Sequence, residues 1–446
     1  VVLSAERRVR MKKCIFFVLS LALLISLFVP CVSYALDAQY QTVKVGIYYS
    51  STAKSQVSFA STDGFTVGYM NDSAFVPESG LWQSENSAAY SSAGTVNING
   101  TEYSCKNGNV ALYPINGSVN INGTIYRGGV EFYPSSGKLT VINFVNINDY
   151  IAAVVGKEMS PSWNIEALKA QAVCARSYCI ATWNRHSSLG FNMCSLQDCQ
   201  TYMGISGETE STKRAASETK DQVVMYGSSV ATTVYSASDG GSTAYSKHVW
   251  GGDIPYLQAV EDIYENPSEA VRSSWTNTFT KSDIKSKLAA SGINIGEVTD
   301  MKVTGKDEYG RVYEVTIYGT NGNHVLKNEK TRSFFNLYSQ KYTISSSGKT
   351  ADSEIYAASS EGIKIITDNV IAKVYVDGLL TVRGGASTKT YKENESASLT
   401  SDTFTINGSG WGHGVGMSQY GAKAMADQGF GYKDILTFYY KGTYIA

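Results

Sequence analysis

Apolar and polar residues alternate along most of residues 41–146. The segments TVKVGIYY, GFTVGYM, GTVNING, GSVNING and KLTVINFV each read as a strand, with Gly, Asn and Ser turns between them. VNINGTEYSC from Val96 and VNINGTIYRG from Val119 are near copies and read as two similar hairpins. At residues 151–155 the alternation gives way to a short apolar run, which reads as the end of a strand, and Glu158 follows it. From Ile165 the period lengthens. Ile165, Leu168, Ala172, Ala175 and Cys179 mark one face of a helix bounded by Pro161 and by the break at 187–190. Asn164 is its expected N-cap. Glu166 falls in the first turn, where the helix dipole favours a carboxylate.

Strand signals return in QVVMYGSSVATTVYSAS and EVTDMKVTGKDEYGRVYEVTIYG. Residues 345–403 are Ser/Thr-rich with weak strands such as NVIAKVYVDG, and read as peripheral. The chain closes on a Gly-rich loop, an Ala-rich helix, a second short helix and a last strand. The expected fold is therefore α+β. A leader at 1–35 precedes a β-rich N-terminal region at 36–146. A core at 147–345 has its central helix packed on mixed strands. An insert at 346–402 separates that core from residues 403–446, whose Gly-rich loop and helix complete it.

Composition narrows the class. The chain has 446 residues, a net charge of −1, only 17% charged residues and 31 tyrosines. That balance gives no reason to expect nucleic acid as a partner. It suits a strand-rich extracytoplasmic protein. The N-terminus agrees: from Met11, MKKCIFFVLSLALLISLFVPCVSYALDAQ has a basic start, an apolar run and a small-x-small site ending at Ala35. It reads as an export signal or as a single anchor, the one expected contact with a membrane. Residues 1–10 read as an over-extended translation start or as the basic flank of that anchor.

Three clusters carry chemistry. Glu166 is explained as a helix-start carboxylate, whereas Glu158 has no such role. Apolar surroundings keep a carboxyl protonated, as a general acid for glycosidic cleavage must be. Lys169 and Arg176 are seven residues apart and share a helix face. They would either pair with Glu158 or hold an anionic or acetamido-bearing sugar. His186, Cys194 and Cys199 form a zinc-like ligand set with a fourth position for water or another ligand; a Cys194–Cys199 disulfide is the alternative. Cys174 and Cys179 read as small core residues. The third cluster is a pair of Gly-rich loops. One carries Ser236, Ser238, Gly240 and Gly241. The other, GSGWGHGVGMSQYGA, carries His413, Gln419 and Tyr420 beside Trp411. Both suit the wall of a binding groove, and both are also compatible with plain turns.

Three stretches in order, INDYIAAVVGKEMSPSWNIEALKAQAVCARSYCIAT, SASDGGSTAYSKHVWGGDIPYLQAVED and GWGHGVGMSQYGAKAMADQGFGYKDILTFYYKGTYI, resemble the stage II sporulation protein D family, which includes the amidase-enhancer proteins. The resemblance covers about residues 42–345 and 403–446. It implies a peptidoglycan lytic transglycosylase that cuts the β-1,4 bond between N-acetylmuramic acid and N-acetylglucosamine and leaves 1,6-anhydro ends. Glu158 matches the family's catalytic Glu, and Lys169 and Arg176 match the Lys and Arg of the following helix. His186, Cys194 and Cys199 resemble the zinc site of clostridial-type members, which favours zinc over the disulfide. Expected partners are glycan strands and other cell-wall hydrolases, in sporulation or wall remodelling outside the cytoplasm. The alternative is a non-catalytic amidase enhancer or glycan-binding wall protein. Two features depart from the family pattern: the 345–403 insert, and Gly156-Lys157 where a Pro is common before the Glu.

Overall fold

The computed structural model describes residues 37–71, 74–81 and 84–346, four strands between 355 and 392, and residues 403–446. The expected leader and the stretch NVIAKVYVDG lie outside the described residues. Sheets and helices both contribute, consistent with an α+β fold. Among the described residues no helix is long and apolar enough to cross a membrane.

The alternating N-terminal segments form a seven-stranded and a six-stranded sheet. The two VNING copies are hairpins at opposite edges of the six-stranded sheet. Each turns on an Asn-Gly pair with positive φ, 51° and 91° at Asn99-Gly100 and 48° and 92° at Asn122-Gly123. That pairing favours a tight two-residue turn whose twist matches the strands. Val96, Ile98, Val119 and Ile121 point into one core.

Residues 151–155 are helical, contrary to the strand reading. Helix α1 spans Ile147–Glu158 and starts where the Asn146 side chain accepts from the Asn148 amide. Ile147, Tyr150, Ile151, Ala152, Ala153, Val154 and Val155 are all buried. A helix enclosed on several sides shows an unbroken apolar run, which over a few residues has the same signature as a buried strand. Gly156 also finds its reason here. A Cβ on it would lie 1.7 Å from the Gly207 carbonyl oxygen, so only glycine allows loop 204–207 to cross α1.

Helix α2 spans Ile165–Ala181, capped by Asn164, whose side chain accepts from the Glu166 amide. It packs against α1 and against α3 (Glu210–Glu218), α4 (Gln419–Asp427) and α5 (Tyr432–Tyr439), and among the described strands it touches the short Val224–Tyr226, Ser229–Val230 and Met417–Ser418. The central helix is thus surrounded mainly by helices rather than laid on mixed strands. Glu166 accepts from the Tyr432 amide at 2.9 Å and from Lys169 Nζ at 2.9 Å, joining the starts of α2 and α5. Glu166→Gln is expected to lower stability by about 1 kcal/mol, since a charge-assisted bond and a helix-dipole contact both weaken. A melting curve identical to the parent's would contradict that.

One hydrophobic core runs from Val43 and Val45 of the N-terminal sheets through α1 and α2 to Ile435, Leu436 and Tyr440 of α5. A second contains Ile284, Val315, Ile317, Phe335 and Ile406. Tyr342–Ser346 and Thr403–Gly408 pair antiparallel, so the insert leaves and rejoins between two neighbouring strands. Its described strands, Ile355–Ser359, Gly362–Ile366, Leu379–Gly384 and Ser387–Lys392, pair into a sheet of their own.

Candidate active site

Glu158 is the last residue of α1 and is half-buried. The chain turns extended at Met159 and reaches Pro161, which ends the helix there. Its Oε1 accepts from the Thr201 amide at 3.1 Å. Its Oε2 faces Gln419 Nε2 at 3.4 Å, near the outer limit of a hydrogen bond. Desolvation by burial raises its pKa, and the hydrogen bonds from Thr201 and Gln419 oppose that only in part. Among the described residues no cation lies within ion-pair distance of it. The ion-pair alternative therefore does not form.

Lys169 and Arg176 do share a face of α2, but that face meets α3 and the residues after it. Lys169 pairs with Glu166 and, at 2.6 Å, with Glu218. Arg176 is completely buried. Its Nη1 donates to the Thr219 carbonyl at 2.8 Å and the Gln222 carbonyl at 3.1 Å. Its Nη2 donates to the Ala216 carbonyl at 3.1 Å and to Asn148 Oδ1 at 3.2 Å. The expectation that Arg176 lines a groove is corrected: its fork is filled by the chain's own carbonyls. Arg176→Lys is expected to cost about 2–4 kcal/mol of stability, because buried carbonyls lose their donors. Denaturant unfolding would measure this, and parent-like stability would contradict it.

The two Gly-rich loops come together beside Glu158's partner Gln419. Tyr235 and Ser236 pair in parallel with Met417 and Ser418, and Ser238 bridges Trp411. Ser236 Oγ accepts from the Gly414 amide at 3.2 Å. Ser238 is fully buried and donates to Glu265 Oε1 at 2.6 Å, so its hydroxyl is enclosed rather than facing a groove. Glu265 also takes Ser418 Oγ at 2.6 Å and the Asp239 and Gly240 amides at 3.0 Å. Gly240 has φ 71°, and a Cβ there would lie 2.7 Å from Ser409 Oγ, so it serves the close approach of the two loops. Gly241, at φ 96°, donates its amide to Asp239 Oδ1. His413 Nδ1 accepts from the Val415 amide at 3.0 Å. Desolvation, then Arg332 and Arg311, hold its imidazole well below the usual range and therefore neutral. Tyr420 stands against Trp163, ring centroids 5.0 Å apart.

The loop after α2 gathers His186, Cys194 and Cys199 and adds Asp198, with ligand atoms all within 4.8 Å of one another. His186 Nε2 lies 3.2 Å from Cys199 Sγ and 3.6 Å from Asp198 Oδ2. Cys194 and Cys199 are both free thiols. The S–H of Cys199 stabilises the Cys194 thiolate, whose pKa is pulled down to about 5, while that of Cys199 is pushed far up. One imidazole, one ready thiolate, a second thiol and a carboxylate are a donor set that fits zinc. Met193–Cys194 pairs in parallel with Val45 and Gly46, which fixes the loop to the N-terminal sheet.

Sequence reasoning missed Thr201, Gln200, Gln171 and Asp198. Thr201, which holds Glu158, is two residues beyond Cys199. Gln200 between them donates to the Ala175 carbonyl at 3.1 Å and accepts from Tyr150 at 3.0 Å. Gln171 on α2 faces Gln419 Nε2 at 3.4 Å. The polar run QDCQT, beginning three residues past the first loop cysteine, was the available signal for Asp198, Gln200 and Thr201.

Residues 135–226 match the stage II sporulation protein family model. The chain is 33% identical over 306 residues to the amidase enhancer of Bacillus subtilis (strain 168), covering 66% of this chain and 40% of that protein. It is 27% identical over 318 residues to stage II sporulation protein D of the same organism, covering 68% of this chain and 75% of that one. The protein of that name from Bacillus amyloliquefaciens is 24% identical over 318 residues. The match thus spans less than half of the amidase enhancer's own length. Together these likenesses support the family to which the sequence motifs point.

Proposed function

From this kinship with stage II sporulation protein D and the amidase enhancer, we propose that the chain works outside the cytoplasm on the bacterial cell wall, as a lytic transglycosylase of peptidoglycan glycan strands. One observation carries the reading: a half-buried carboxyl at Glu158, raised in pKa by desolvation and, among the described residues, paired with no cation. Glycoside hydrolases ordinarily use two carboxyls, the second as the base for water or as the nucleophile. Intramolecular attack needs one.

The Thr201 amide fixes Oε1, which leaves the loosely held Oε2 to carry the proton. Glu158 gives that proton to the glycosidic oxygen of the β-1,4 bond as the C1–O bond breaks. The C6 hydroxyl of the same N-acetylmuramic acid attacks C1, and the Glu158 carboxylate takes its proton. The products are a free 4-hydroxyl on the leaving sugar and a 1,6-anhydro end, with Glu158 protonated again and no water consumed. Gln419 serves both states: its amide N–H donates to the carboxylate, and its carbonyl, turned over, accepts from the acid.

His186, Cys194, Cys199 and Asp198 would hold a zinc ion. Bound there, it would supply a cross-link that fixes the loop carrying the Thr201 amide. Its role is structural.

A second reading is favoured by the 33% identity to the amidase enhancer: a wall-binding protein that stimulates a separate hydrolase. Incubation with glycan strands stripped of their stem peptides separates the two. The transglycosylase reading expects soluble glycan fragments from the protein alone. No fragments from the protein alone would favour the second reading.

A further inference from the structure

We propose that Trp411, Tyr338 and Arg272 form a subsite for a pyranose ring carrying a carboxylate. The proposal rests on the cell-wall reading above, and it adds a specific contact to it.

Trp411 is 44% exposed. Its backbone is nevertheless locked on both sides: its amide donates to the Ser238 carbonyl at 2.8 Å and its carbonyl accepts from the Ser238 amide at 3.1 Å. A backbone bridge within the Gly-rich loop therefore holds a large indole out in solvent. Tyr338 stands edge-on to it, with ring centroids 6.3 Å apart and planes at 83°. The Tyr338 carbonyl accepts from the Gly412 amide at 2.9 Å, so the two rings belong to one hydrogen-bonded frame.

Arg272 completes the patch. Its guanidinium lies over the Tyr338 ring at 4.3 Å and reaches the Trp411 ring at 6.0 Å. The residue is exposed and has φ 57°, a left-handed backbone that a non-glycine residue adopts at a cost. Its carbonyl accepts from the Gly410 amide at 2.8 Å, which ties this strained position to the loop bearing Trp411. Among the described residues no carboxylate lies within ion-pair distance of Arg272. A guanidinium stacked on a ring keeps its N–H edge directed away from that ring, ready for a bidentate anion.

These features together select the ligand. An exposed aromatic face takes the C–H face of a sugar, and a fork beside it takes a carboxylate on that sugar. In glycan stripped of its stem peptides, N-acetylmuramic acid carries such a group free on its lactyl arm, and N-acetylglucosamine does not. The same Gly-rich segment continues from Trp411 through His413 to Gln419, which contacts Glu158. Trp250, 47% exposed and 5.1 Å from the His413 ring, stands on the His413 side of this segment. A strand held at Trp411 is thus held by the loop that also supports the acid.

The test is direct binding by calorimetry in the Glu158→Gln background, where no turnover interferes. The ligands are a tetrasaccharide of alternating N-acetylglucosamine and N-acetylmuramic acid, chitotetraose as its neutral counterpart, and a wall stem peptide. Arg272→Gln is expected to weaken the muramic-acid ligand about tenfold or more and to leave chitotetraose unchanged. Trp411→Ala is expected to weaken both sugars. Trp411→Phe, with its melting curve checked against the parent, is expected to restore part of the loss. Equal effects of Arg272→Gln on both sugars, no effect on either, or stem-peptide binding as tight as the tetrasaccharide would overturn the subsite. The two readings fail separately. Trp411-dependent binding without cleavage by the parent chain would leave the subsite standing and remove the transglycosylase. Normal cleavage with binding unchanged in both variants would do the reverse.

Discussion

Glu158→Gln is expected to leave the protein folded and to reduce glycan cleavage by about two to four orders of magnitude, the usual contribution of a general acid–base group. Glutamine has nearly the same shape and can still accept from the Thr201 amide, so the loop at 199–202 keeps its contact. It cannot give up a proton. The same residue sets the pH behaviour. Its folded-state pKa is raised, so the acid form is present below that value and cleavage falls as pH climbs through it. Stability follows the same sign. A raised carboxyl favours the fold fully below the ordinary carboxylate pKa, and that contribution is lost as pH rises through the raised value. Glu158→Gln removes this component of the slope. Melting temperatures of parent and variant across the mildly acidic to neutral range would show it. Parallel curves would mean that Glu158 titrates as an ordinary surface acid.

The second large effect concerns the loop after α2. Protein purified without chelator is expected to carry close to one zinc per chain by elemental analysis. Cys194→Ser and Cys199→Ser should each lose the metal, lower stability by about 3 kcal/mol or more, and depress cleavage with it, since structural zinc binding is folding free energy. The route to activity is short. Thr201, whose amide holds Glu158 Oε1, lies two residues past Cys199, and Gln200 between them is anchored to α2. The loop also reaches the N-terminal sheet through Cys194, whose neighbour Tyr49 has its phenol pushed up to about 12, first by burial and then by that thiolate. Intact mass showing Cys194 and Cys199 oxidised together, with no metal bound, would contradict the zinc site.

Local signals carried a good part of this molecule. The Asn-Gly turns announced both edge hairpins, because a two-residue turn with positive φ has few other sequences. Asn164 and the 3.6-residue period placed α2. Glu158 stood out because, unlike Glu166, no cap or dipole explained it. Two of the failures share one cause, which is distance along the chain. Arg176 and Lys169 were correctly put on one face of α2. What covers that face is the 216–222 carbonyls and Glu218, some 40 residues away, and nothing local foretells them. The run at 151–155 reads as a strand because burial on all sides erases helical periodicity. The capping pair Asn146 and Asn148, with Asp149 in the first turn, was the available correction. Ser238 looked like a ligand-facing hydroxyl until Glu265, 27 residues on, was seen to fill it.

The central claim is that a single carboxyl cuts the glycan without water. Digestion of purified glycan strands in heavy-oxygen water, followed by mass analysis of the new ends, tests it most directly. Unlabelled 1,6-anhydro ends are expected from the parent chain and are expected to be essentially absent with Glu158→Gln. Labelled reducing ends from the parent chain would mean hydrolysis and would contradict it.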